Sequence, residues 1–417
     1  MTSLSSMQDP SRIAAPVDVG RRVTSIDVLR GFALLGILVM NIQSFSMPDA
    51  AYLNPTAYGD LNGANRWVWI LGHLLTDEKM YGIFSMLFGA GILLMATRIE
   101  RRRGQPGPVH YRRMAWLILF GLLHAYLLWS GDILYTYGVC GLVAYLFRNL
   151  QPRALVIRAV LFFAVSSAIY AGVGRVINTL PADQFDAFVH ENWRPTDAMI
   201  QEEIAAFRGG WLQQMPYRSS YALEMETLVF AFLFAWKSIG NMLLGMALFK
   251  WGVVTGERSQ GFYLRLAAAG FLIGLPIVAF GIWRHFAAGW NARYSFFFGS
   301  QYNYLGAIVV DIGWIGAILL MYGSRRFTLA TTALAAAGRM AFSNYILQTL
   351  ICTTIFYGDG FGLFGAVTRV EQILIVVTIW AVQLTISPLW LRRFQFGPLE
   401  WLWRSLTYWR WMPFAVR

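Results

Sequence analysis

The chain has 417 residues, 57% of them hydrophobic and only 13% charged, and its mean hydropathy is +0.49; a soluble protein of this size carries roughly 25% charge. The apolar residues come in long blocks, among them Gly31–Ile42, Met114–Trp129 and Ile373–Ile386, with no period-two alternation, so the chain reads as membrane-spanning helices and not as a barrel. A net charge of +12 would suit nucleic acid, but the basic residues gather in short loops between apolar runs, which marks a cytoplasmic membrane face and makes the lipid bilayer the partner instead.

The predicted fold class is all-α, a polytopic bundle of about ten transmembrane helices with both termini cytoplasmic. Residues 1–22 read as a disordered cytoplasmic segment with no apolar stretch of the kind a cleavable signal peptide needs. Residues 23–393 form the transmembrane domain. Its first half has spans at Ile26–Phe45, Met80–Thr97, Met114–Trp129, Ile133–Phe147 and Val156–Ile177. The second half has Ala222–Phe249, Leu264–Trp283, Tyr302–Tyr322, Ala333–Tyr357 and Val370–Leu391. Arg101–Arg103, Arg148, Lys250, Arg325 and Arg392 fall in alternate loops, which sets the orientation. On the opposite face, Ser46–Lys79 holds a short apolar piece, Trp67–Leu75, too short to cross and therefore interfacial. Residues 178–221 form the largest outer loop; Pro195-Thr196-Asp197 opens a helix there that Gly209-Gly210 closes. Residues 394–417 are an interfacial tail that interleaves tryptophans with Arg404 and Arg410. Met86-Leu87-Phe88-Gly89 and Met242-Leu243-Leu244-Gly245 look alike; small residues at close helix crossings explain them better than a repeat does.

Several polar residues stand inside apolar runs. Asp27 and Arg30 share a helix face and can simply pair, yet Arg30, a turn inside the membrane at the cytoplasmic mouth, also suits an anionic ligand such as a phosphate. His124 is the histidine deepest in a span, nearer the outer face, where an ionisable group is a functional candidate. Asp132 follows a glycine turn; it either folds back toward His124 or caps the next span. Lys237 and Asp311 lie at matched depth and read as a buried charge pair. Asn41, Asn344 and Gln348 are intramembrane amides suited to interhelical hydrogen bonds. Glu400 and Arg404 read as an i,i+4 pair on a surface helix. Cys140 and Cys352 are small buried hydrophobes, and no Cys/His spacing suggests a metal.

Together these stretches resemble the YeiB-like bacterial membrane proteins. The resemblance rests on Ser25-Ile-Asp27-Val-Leu-Arg30-Gly31, Leu87-Phe88-Gly89, Gly121-Leu-Leu-His124 through Gly131-Asp132, Gly338-Arg339-Met-Ala-Phe-Ser-Asn344-Tyr345 and Gly397-Pro398-Leu-Glu400-Trp401-Leu-Trp403-Arg404. It runs from Ser25 to Arg404 and implies a multi-pass protein of the bacterial inner membrane, in a family of unknown function sometimes taken for transporters. The opening helix is also similar to that of heparan-glucosaminide N-acetyltransferase and related transmembrane acyltransferases. That similarity implies acyl-coenzyme A as donor at the cytoplasmic side and a small-molecule, glycan or lipid acceptor beyond the membrane. The histidine motifs of those enzymes are not recognisable here, so His124 is assigned from its own position. The expected site has Asp27, Arg30, Asn41, Arg339 and Asn344 binding donor or substrate. His124 is its base or acyl carrier, and Asp132 orients the imidazole. The alternative is a secondary transporter with Lys237 and Asp311 as its midplane site. Self-association into a homo-oligomer is left open by the sequence.

Overall fold

The computed structural model describes residues 23–416, so the expected segment 1–22 lies outside the described residues. Those residues form the predicted all-α bundle; their one β feature is an isolated bridge between Phe394 and Ala415. The first half comprises α1 (Thr24–Ser46), α2 (Gly63–Leu75), α3 (Lys79–Arg101), α4 (Pro106–Leu127), α5 (Leu134–Leu146) and α6 (Pro152–Asn178). Three helices follow on the segment expected to face outward, α7 (Ala182–Asn192), α8 (Asp197–Phe207) and α9 (Trp211–Glu224). The second half comprises α10 (Ala235–Lys250), α11 (Gln260–Ala287), α12 (Gln301–Tyr322), α13 (Thr328–Arg339), α14 (Ala341–Phe356), α15 (Arg369–Arg393) and the tail helix α16 (Pro398–Tyr408).

Seven helical stretches among the described residues are long and apolar enough to cross a membrane, and α5 and α14 are shorter apolar helices. α8 starts and stops where its signals lie: Thr196 Oγ1 accepts from Met199 N–H at the N-cap, and the helix ends at Phe207. Three departures from expectation matter for function. Trp67–Leu75 is part of the longer helix α2, and only Thr76–Glu78 separates α2 from α3; Glu78 there adopts a left-handed backbone with φ 62°. The expected span Ala333–Tyr357 is broken at Met340, whose φ of −109° and ψ of 27° end α13 before α14 starts. A π-helical stretch, Met225–Phe234, joins α9 to α10.

The two look-alike segments pack on each other. A Cβ on Gly89 would meet the Met242 carbonyl at 2.1 Å, and one on Gly245 would meet the Met86 carbonyl at 1.8 Å, so α3 and α10 cross with backbones in contact, as small-residue interfaces allow. Both cysteines are free and buried.

Candidate functional site

Where α4 ends and α5 begins, the Gly131 turn folds Asp132 back onto His124. The Asp132 carboxylate accepts from His124 Nδ1 at 2.7 Å, and its second oxygen accepts from the Tyr135 backbone N–H at 2.7 Å. Both roles read from the sequence are therefore filled by one side chain, which orients the imidazole and satisfies a first-turn donor of α5. The close fold-back depends on Gly121, where a Cβ would stand 2.2 Å from Tyr135 N and 2.7 Å from the carboxylate. The His124 and Asp132 side chains are each 1% exposed.

With Nδ1 donating to Asp132, Nε2 carries the lone pair. The Thr349 hydroxyl lies 3.0 Å from it, within reach to donate there, and 3.4 Å from the Tyr345 carbonyl one turn earlier, its other acceptor. Thr349 lies on α14, which meets α4 here through its side chains. Tyr345, one turn earlier, places its ring 5.1 Å from the imidazole, and Trp129, stacked on Phe45, closes another side at 6.2 Å. The arrangement is a carboxylate–imidazole–hydroxyl relay in an apolar enclosure, the geometry that lets an imidazole take a hydroxyl proton. Thr349 carries no sequence signal, since a threonine in an apolar helix usually bonds back to its own carbonyls.

At the other end of α4 stand the arginines. Arg30 Nη1 donates to Asp27 at 2.9 Å, and Arg113 lies within its electrostatic reach. Gly31 and Gly338 let α1 and α13 touch: a Cβ on Gly31 would stand 2.0 Å from the Leu334 carbonyl, one on Gly338 1.9 Å from that of Asp27. That crossing brings the neighbouring residues Arg30 and Arg339 to one end of the bundle. Arg339 also donates to the Gln395 carbonyl at 3.3 Å. The other expected binding residues do not gather here. Asn344 Nδ2 donates to the Ala337 carbonyl and to Ser387 Oγ, tying α13, α14 and α15 together. Asn41 is half-buried on α1 and makes no side-chain hydrogen bond among the described residues.

Two expected pairs are corrected. Lys237 makes its ion pair with Glu78, and its ammonium lies 4.5 Å from the Tyr304 ring centroid. Asp311 lies against Gly82 and within electrostatic reach of Lys237 and Lys79, but neither of its carboxylate oxygens has a hydrogen-bond partner. The helix break at Thr76–Glu78 explains the change, because it carries an acid to Lys237 from a segment expected outside the membrane core. The same break adds polar groups that sequence reading missed. Asp77 accepts from His73 Nδ1 at 2.8 Å and from Asn303 Nδ2 at 2.9 Å, while buried Lys79 donates to the His73 carbonyl and to Asn303 Oδ1. The second correction concerns Glu400. Beyond its i,i+4 place beside Arg404, Glu400 is half-buried and its carboxylate accepts from the backbone N–H groups of Phe342 (2.6 Å) and Ser343 (3.2 Å) and from the Ser343 hydroxyl (2.5 Å). It caps α14, the helix that carries Thr349, and burial raises its carboxyl above the ordinary range.

Comparison with known proteins agrees with the motifs. The family model described as "Protein of unknown function (DUF418)" matches residues 248–410. The chain is 34% identical over 397 residues to the uncharacterized protein YeiB of Escherichia coli (strain K12), covering 93% of this chain and 96% of that one. It is 31% identical over 422 residues to the uncharacterized protein YxaH of Bacillus subtilis (strain 168), covering 96% and 98%. An uncharacterized 39.9 kDa protein from the amylase 3' region of Bacillus acidopullulyticus is 25% identical over 407 residues.

Proposed function

The chain belongs to the YeiB-like family, and from that premise we propose that it is an inner-membrane acyltransferase, carrying an acyl group from cytoplasmic acyl-coenzyme A to an acceptor hydroxyl at the outer side. The observation that carries this reading is the buried Asp132–His124–Thr349 relay. The Thr349 hydroxyl marks where an acceptor hydroxyl would donate to Nε2. His124 takes that proton while the acceptor oxygen attacks the thioester carbonyl. The C–S bond then breaks, and the departing coenzyme A thiolate regains the proton from the imidazolium, so thioester and alcohol become ester and thiol. Asp132 holds the Nδ1–H tautomer and steadies the charge that forms on the ring.

The arginines supply the other half. Arg30, positioned by Asp27, and Arg339 suit the phosphates of the donor. Arg113, near Arg30, and His124 are eleven residues apart on α4 (113 to 124), about 16 Å at helical rise, a length an extended pantetheine arm spans. The test uses purified protein in lipid nanodiscs with acetyl-coenzyme A. His124→Ala is expected to keep donor binding and lose turnover by roughly a hundredfold or more, while Arg30→Ala weakens binding. A wild-type protein that binds no acetyl-coenzyme A in calorimetry, and that His124→Ala leaves unchanged, contradicts the reading.

The transporter reading has its own support in the charged residues at the α2–α3 break, since interrupted helices with buried charges suit ion and solute sites. Solute uptake that Glu78→Gln abolishes and His124→Ala spares would favour it.

A further inference from the structure

We propose that Arg218 on α9 binds an oxyanion carried by the acceptor, a phosphate or carboxylate, at the end of the relay facing away from Arg30; the assignment to the acceptor rests on the acyl-transfer reading. Arg218 is 2% exposed, yet its Nε and Nη2 groups are enclosed with no hydrogen-bond partner. Gln214, one turn earlier on the same helix and fully buried, leaves its Oε1 unpartnered. Asp359 is in electrostatic reach but engaged elsewhere: it accepts from the Trp211 backbone N–H at 2.8 Å and from Gln214 Nε2 at 3.4 Å. Among the described residues it forms no ion pair with Arg218. The guanidinium carbon lies 5.8 Å from the Trp211 ring centroid, which leaves its fork of donors unused.

An enclosed cation with no direct ion-pair partner is expensive, and two free donors in a planar fork match the two oxygens of one phosphate or carboxylate. The free Gln214 oxygen accepts from a hydroxyl beside that anion. The ligand class is therefore a hydroxylated acceptor bearing an oxyanion.

The position fits an acceptor and not the donor. Trp211 Nε1 donates at 3.1 Å to the carbonyl of Leu127, the last residue of α4, three residues beyond His124. Tyr357, also in electrostatic reach of Arg218, follows the end of α14, eight residues or about 12 Å past Thr349. Arg30 belongs to the opposite end of α4.

The experiment follows thermal unfolding of the full chain and Arg218→Gln, with inorganic phosphate in detergent and with phosphatidylglycerol or phosphatidylcholine nanodiscs. Phosphate is expected to raise the wild-type midpoint and leave Arg218→Gln unmoved if the anion comes from a soluble acceptor. Phosphatidylglycerol, relative to phosphatidylcholine, does the same if it comes from a lipid. Ligand-free Arg218→Gln should be at least as stable as wild type, because the variant removes an unpaired charge. Equal protection of both proteins, protection of neither, or a clearly less stable Arg218→Gln overturns the proposal. Arg218→Lys keeps the charge without the fork and should need at least about tenfold more anion for the same shift; an unchanged requirement also overturns it. These readouts involve no acyl transfer, so their failure is separate from that of the His124 reading.

Discussion

Two polar clusters lie within this apolar bundle, and they are built in opposite ways. In the His124 relay each link is a hydrogen bond of ordinary length: Asp132 accepts from the Tyr135 N–H and from His124 Nδ1, and His124 Nε2 meets the Thr349 hydroxyl. In the cluster at the α2–α3 break, three acids (Asp77, Glu78 and Asp311) meet two lysines (Lys79 and Lys237), and the Asp311 carboxylate has no hydrogen-bond partner. A satisfied network holds one geometry and suits directed proton transfer; one that leaves a buried acid without a hydrogen bond is held less firmly.

The largest expected effect sharpens that contrast. Glu78→Gln strands the buried ammonium of Lys237 and should cost about 3 kcal/mol, the low end for a broken buried pair because Glu78 is partly exposed. Adding Lys237→Met should recover most of it in chemical denaturation. Asp311→Asn removes no hydrogen bond and should leave stability unchanged or raised. An Asp311→Asn variant as unstable as Glu78→Gln would break the comparison. Next, Gly338→Val should cost about 1–3 kcal/mol by overpacking, because even a Cβ there meets the Asp27 carbonyl at 1.9 Å. Acetyl-coenzyme A binding should weaken in parallel, whereas a thermal midpoint equal to wild type would show that α1 and α13 can part freely. Asp132→Ala loses the first-turn bond to Tyr135 and the bond to His124, for about 1–2 kcal/mol by thermal unfolding.

How much of this was legible in the sequence follows from where the partners lie. Asp27–Arg30 and His124–Asp132 are local, one on a helix face and one across a glycine turn, and a close reading finds both. Glu78 reaches Lys237 across 159 positions of sequence, through a helix break that no proline or glycine announces, so matched depth found Asp311, which lies within electrostatic reach of Lys237, and missed the acid that ion-pairs with it. Glu400 shows the same limit: its i,i+4 neighbour was visible, whereas the α14 N-terminus it caps depends on the break at Met340. Thr349 and Arg218 had no local signal at all, the first an ordinary helical threonine, the second one basic residue in a polar segment.

The smallest effect lies in the acids around α8. Glu203 on α8 has its carboxyl pushed up to about 8 by burial and then by Asp49, and Asp49 is raised to about 6 by burial and by Glu224. Acids with raised folded-state values bind more protons folded than unfolded, so stability falls as pH rises from about 4 to about 8 and is flat above. A thermal scan against pH should show that slope in wild type and a shallower one in Glu203→Gln. A slope unchanged in Glu203→Gln would remove Glu203 from the account.

The central claim is that His124, held by Asp132, moves the acceptor's proton. Its most direct test is coenzyme A thiol release from acetyl-coenzyme A in membrane vesicles of the expressing cell, comparing wild type with Asp132→Asn, which keeps size and loses the tautomer-fixing charge. The account predicts release in wild type and a fall of about a hundredfold or more in Asp132→Asn, with acetyl-coenzyme A binding unchanged. Equal release by the two proteins would contradict it.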